Sequence, residues 1–239
     1  MLAFALFLPL HSVLSFSLHE IPPIRMEAGP QSKEADDLIL QGESDRTTVV
    51  TFTVKAYITP EVASTYPNAS ESIEFLKDIL NKQYKRSMIP IRMKIHCIEV
   101  TKTSEAQGMN TLDAFKNYKS SHEELRGSAD AAALFANSGD YGIAIGANPP
   151  HGDTMITVNQ MEGSLRSRIL FSHELGHNFG ATHSDGYWLP GTNIGSLMNS
   201  SEACCHDEHG FYSNPEVKID GIPTGDKDHN VAGLIRRHR

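Results

Sequence analysis

The chain has 239 residues, 39% of them hydrophobic, and a formal net charge of −8. That length allows one or two domains, and the apolar content allows a sizeable core. An acidic chain whose basic run is confined to Arg236-Arg237-His238-Arg239 lacks the surface that nucleic-acid binding uses, and three cysteines are too few for a disulfide-dense scaffold.

The first element is an apolar leader. Met1 to Leu10 (MLAFALFLPL) is almost wholly apolar and Val13 to Phe16 extends it. This run is shorter than the roughly 20 residues that span a membrane. It has the length of a signal-peptide apolar region, with Ser15 and Ser17 near a cleavage point, so residues 1–17 read as a signal peptide and the mature protein as secreted. A buried N-terminal helix is the alternative. Residues 18–46 hold Pro22, Pro23, Pro30 and an acidic run around Glu34 to Asp37, which marks a loose segment or a short propeptide.

Alternation begins at Val50. Val50, Phe52, Val54, Ala56 and Ile58 alternate with Thr51, Thr53, Lys55 and Tyr57, which predicts a strand with one buried face. Ser70 to Lys85 follows as a helix, with Ile73, Leu76, Leu80 and Tyr84 on one side. Ile91, Met93, Ile95 and Cys97 form the apolar face of a second strand, and the slip at Ile98 and Val100 points to a bulge. Thr111 to Ser120 reads as another helix. Ala129 to Phe135, Tyr141 to Ile145 and Met155 to Val158 read as short strands, and Val231 to Arg237 as a terminal helix.

Two sequons, Asn68-Ala69-Ser70 and Asn199-Ser200-Ser201, are glycosylation candidates. Asn68 has a second reading as a helix cap, with Glu71 completing a box-like arrangement. Cys97 could bridge to Cys204 or to Cys205, leaving one thiol over.

Ser164 to Gly180 (SLRSRILFSHELGHNFG) predicts a helix in which Phe171, Leu175 and Phe179 form an apolar stripe. His173 and His177 lie on another face, four residues apart, so both imidazoles reach one ion. The full pattern, His173-Glu174-Leu175-Gly176-His177-Asn178-Phe179-Gly180-Ala181-Thr182-His183, reads H-E-x-x-H-x-x-G-x-x-H. Gly180 lets the chain leave the helix and bring His183 back as a third ligand. Three ligands leave one tetrahedral position of a zinc ion open, the mark of a catalytic site. Five fixed positions arise by chance on the order of once in ten thousand chains of this size.

This motif resembles that of the metzincin zinc endopeptidases, and Gly195-Ser196-Leu197-Met198-Asn199, 15 residues beyond His183, matches the clan's methionine turn. Within the clan the chain is most similar to the adamalysin or reprolysin branch, although Ser184 stands where that branch usually has Asp. The resemblance implies an α/β catalytic domain over residues 47–239. Its parts would be a twisted, mostly parallel sheet with an antiparallel edge strand, an active-site helix, a methionine turn and a small C-terminal subdomain.

For the site, the resemblance implies one zinc ion held by His173, His177 and His183, with Met198 as an apolar floor. It implies that Glu174 takes a proton from zinc-bound water that attacks the scissile carbonyl, and passes it to the leaving amine. Protein or peptide substrates would pair with an edge strand at Asp153 to Val158, which makes Thr154 and Ile156 substrate-binding candidates. Phe211 and Tyr212 would line the pocket past the cleaved bond, or equally belong to the core. The chain is expected to act as a monomer with no transmembrane span. Residues 18–46 contain no cysteine, so a cysteine-based block on the metal from that segment is not expected.

Overall fold

The structure is a computed structural model and describes residues 48–102, 109–119, 121–137, 143–145, 155–161, 165–199 and 210–237. The expected leader, the 18–46 segment, Thr154, Cys204 and Cys205 lie outside the described residues.

In chain order the elements are β1 (Val50–Ile58), α1 (Pro60–Thr65), α2 (Ala69–Arg86), β2 (Ile91–Val100), α3 (Met109–Lys116), α4 (His122–Arg126), β3 (Ala131–Ala136), β4 (Ile143–Ile145), β5 (Ile156–Gln160), α5 (Leu165–Asn178), β6 (Lys218–Ile219), β7 (Ile222–Pro223) and α6 (Val231–Arg237). The main sheet has the order β2-β1-β3-β5-β4. β2, β1, β3 and β5 run parallel, and β4 closes one edge antiparallel to β5. β6 and β7 form a small antiparallel pair near the C-terminus. The expected α/β architecture is thus present, with its mostly parallel sheet and antiparallel edge.

The larger core lies on one face of the sheet. There Phe52, Val54, Ala56 and Ile58 meet Ile73, Leu76, Leu80 and Tyr84 of α2 and Phe171, Leu175 and Phe179 of α5. Each of the valine, leucine, isoleucine and phenylalanine side chains, when fully buried, contributes about 1.5–3 kcal/mol. The other face is covered as well, by Leu112, Phe115 and Leu125 packed on Tyr57, Leu134, Ile156 and Val158. The expectation of one buried face for β1 therefore needs correcting. Tyr57 is wholly buried, and its hydroxyl donates to the Leu125 carbonyl at 2.7 Å. Parallel strands covered on both sides carry continuous apolar runs, as Ala131 to Ala136 does.

The bulge falls earlier than expected. Val54 pairs with Ile95 but Lys55 with Cys97, which leaves His96 as the extra residue. The inserted residue turns Cys97 outward, exposed, and brings Ile98 to the core. Asn68 does precede α2, but its side chain makes no capping hydrogen bond. Capping is instead found at α1, where the Thr59 hydroxyl accepts from Val62 N at 3.2 Å and Pro60 opens the helix.

Candidate active site

Helix α5 is buried along Phe171, Leu175 and Phe179, and this anchors it against the sheet. Its other face carries His173 and His177. The helix ends in a Schellman turn: Ala181 N donates to the Gly176 carbonyl at 3.1 Å and Gly180 N to the His177 carbonyl at 2.8 Å. Gly180 has φ of +89°, a conformation that side-chain-bearing residues avoid. The turn delivers His183 onto a short 3-10 turn, His183–Asp185. Asp185 Oδ2 accepts from Thr182 N and from its hydroxyl, both at 2.7 Å, while the Ser184 and Thr182 hydroxyls meet at 2.6 Å. Asp185, one place later than the branch's usual aspartate, therefore holds this turn.

The three imidazoles converge. The Nε2 atoms of His173 and His177 are 3.0 Å apart, those of His173 and His183 3.1 Å, and those of His177 and His183 3.3 Å. A tetrahedral zinc with bonds of about 2.0–2.1 Å separates its nitrogens by about 3.3 Å, so the donor set fits one such ion. The ring orientation is set from behind. His173 Nδ1 lies 2.5 Å from the Leu197 carbonyl, and His177 Nδ1 lies 2.7 Å from the Ala181 carbonyl. A carbonyl can only accept, so each Nδ1 carries the proton and each Nε2 presents its lone pair to the shared point. Burial lowers both pKa values, that of His173 to about 4, which keeps the rings neutral and able to ligate.

Glu174 is only 3% exposed, and burial pushes its carboxyl up to about 8. A carboxyl with its affinity for protons raised beside the triad is suited to accept and return one. Met198 is fully buried beneath the helix. A Cβ at Gly176 would collide with Met198 Sδ and stand 3.2 Å from the Tyr212 ring, so glycine there admits both side chains against the turn between the two helical histidines.

The loop between the third histidine and the methionine closes on itself. Trp188 and Gly195 form an isolated bridge, Ser196 N donates to the Tyr187 carbonyl at 2.8 Å, and Asn199 Nδ2 donates to the same carbonyl at 2.9 Å.

One sequence expectation needs correcting, and one open alternative closes. Ile156 does not sit on an edge: β5 lies between β3 and β4, and Ile156 is wholly buried in the second core. A run of apolar residues cannot reveal which neighbour a strand will acquire. Phe211 and Tyr212 are core, 1% and 0% exposed, and the Tyr212 ring stacks on Tyr84 at 5.7 Å. The reading of that pair as pocket lining is not supported. The carbonyls of Leu197 and Ala181 escaped sequence reasoning altogether, because any residue supplies a carbonyl.

The family model Reprolysin_5, metallo-peptidase family M12, matches residues 48–218. The chain belongs to that family. No curated protein sequence matches this M12 chain. Among solved structures, a chain from a chaperone–substrate complex aligns over 80% of this chain and 34% of its own length, at 18% identity and a TM-score of 0.65. Metalloproteinase-II from Bacteroides fragilis aligns over 81% of this chain and 55% of its own, at 16% identity and a TM-score of 0.47. The M12 chain thus spans about a third and about half of these two chains, and the first likeness shows a shared fold.

Proposed function

We propose that this chain is a secreted zinc endopeptidase acting as a monomer, with its catalytic domain over residues 47–239, residues 1–17 as a signal peptide and 18–46 as a loose segment or short propeptide. The observation that carries the reading is the convergence of three Nε2 atoms within 3.3 Å beside a buried glutamate. Membership of a metallopeptidase family supports it. No helix among the described residues is long and apolar enough to cross a membrane.

In this reading His173, His177 and His183 hold the zinc, and Met198 closes the site from below. When bound, zinc polarises a peptide carbonyl and makes water a stronger acid. Glu174 takes the proton from the attacking water and returns it to the amine that leaves. Substrate backbone would add to the sheet at the outer edge of β4, which has no further strand beside it among the described residues, rather than at β5 as the sequence indicated, because β5 has both neighbours filled. The β4 and β5 strands both lie against α5, the helix that carries two of the three histidines.

The test is cleavage of casein by the purified protein with and without a zinc chelator, alongside zinc stoichiometry. One zinc per chain and chelator-sensitive cleavage are expected. Cleavage that survives complete removal of zinc refutes the assignment.

A further inference from the structure

His173 is held from two directions, and both lead to residues 211 and 212. Along the backbone, Phe211 O accepts from Leu197 N at 2.8 Å, and Leu197 O in turn faces His173 Nδ1 at 2.5 Å. Through a side chain, the Tyr212 hydroxyl donates to the carbonyl of Ser172, the residue before His173, at 2.6 Å. That carbonyl lies within α5, where it also faces the N–H of Gly176. The Tyr212 ring reaches the helix because Gly176 has no side chain in the way.

Tyr212 is itself fixed. It is fully buried, its N–H donates to the Ser87 hydroxyl at 2.8 Å, and its ring stacks on Tyr84 with planes 16° apart. Ser87 ends α2, and its carbonyl accepts from Asn214 Nδ2 at 2.8 Å. The Ser172 hydroxyl also reaches back to α2, donating to Gln83 Oε1. A buried polar path therefore runs from the C-terminal end of α2 through Tyr212 to the backbone carrying the first histidine. A hydroxyl spent on a helix carbonyl that already has a helical partner adds little to helix formation. It does fix where the helix sits.

We propose that Tyr212 is a positioning residue for His173, setting the geometry of the metal site through the Ser172 carbonyl. The proposal rests on the zinc half of the reading above and not on peptide cleavage. Supporting groups behind a metal ligand typically change affinity 10- to 100-fold when removed.

The test is Tyr212→Phe in the full chain, which keeps the stacked ring and deletes the hydroxyl. Zinc release to a chromogenic chelator is measured before any substrate is added. The expected result is faster release, up to about tenfold, with a lowered kcat and an unchanged KM on a fluorogenic peptide. Wild-type zinc release in a Tyr212→Phe protein that has only lost thermal stability overturns the proposal, since a merely structural tyrosine behaves that way. If Tyr212→Phe does not fold, Tyr212→4-fluorophenylalanine, which fills the hydroxyl's place without a donor, replaces it, and wild-type zinc release there is equally fatal. A wild-type protein that binds zinc but cleaves no peptide refutes the endopeptidase reading and leaves this one standing.

Discussion

Helix α5 and the segment from Gly210 to Asn214 are both buried against the same core, yet they serve the histidines in different ways. The helix supplies the chemistry in its own side chains: His173, Glu174 and His177 lie within five residues. The segment supplies none of the three converging histidines. It offers a carbonyl to Leu197 and a hydroxyl to Ser172, and so sets where the helix side chains point. Removing chemistry should silence the site without loosening the fold, whereas removing support should loosen the fold and detune the site.

The largest separation is expected from Glu174→Ala. General acid–base groups contribute about 10²- to 10⁴-fold, and hydrolysis of a peptide should fall at least that far while zinc content stays at wild type. Equal loss of zinc would erase the distinction between a group that reacts and groups that hold. Next comes Phe171→Ala on the opposite face of the same helix. It should cost about 3–5 kcal/mol in urea unfolding, because the ring is fully buried against Phe135 at 5.3 Å.

Gly176→Ala sets two effects against each other. Alanine favours a helix by about 1 kcal/mol, but its methyl would collide with Met198 Sδ and press on Tyr212. Overpacking of this kind costs about 1–3 kcal/mol, so a net destabilisation and faster zinc release are expected. A stabilised variant would show that Met198 yields freely.

The last prediction concerns metal-free protein and pH. Glu174 has a folded pKa raised to about 8 by burial, so the folded chain binds a proton that the unfolded chain releases near 4.5. That contribution to stability is complete below pH 4.5 and is lost as pH rises toward 8. The depressed histidines act in the opposite sense, but theirs is complete above about pH 6.5. Among the described residues Glu174 carries the shifted titration between pH 6.5 and 8, and it should remove about 2 kcal/mol from the metal-free chain over that span. Glu174→Gln should lack that loss, and a parallel slope in both proteins would contradict the assignment.

The contrast between the two regions also explains what could be read in advance. The zinc-site pattern was legible because helical spacing alone brings two histidines together, and a glycine at φ +89° turns the chain to the third. The strands were legible as strands, since alternation is local. Which strand becomes an edge depends on partners distant in sequence, and so local pattern does not show that β4, and not β5, takes the border. The burial of Tyr57 is hidden for the same reason: α3 and α4 cover its face from 50 or more residues away. Thr59-Pro60 is a local start signal for α1. The grip of Phe211 and Tyr212 on His173 has no signature at all, because it works through backbone atoms and a long-range hydroxyl.

The two sequons differ in what the folded chain leaves within reach. Asn199 spends its amide on the Tyr187 carbonyl, with Gly186 and Gly195 packed against it, whereas the Asn68 side chain is exposed at the start of α2. An enzyme that attaches a sugar needs that amide free. In the closed loop Asn199 is therefore the poorer acceptor of the two. The Asn68 side chain makes no capping hydrogen bond and stays within reach in the folded chain.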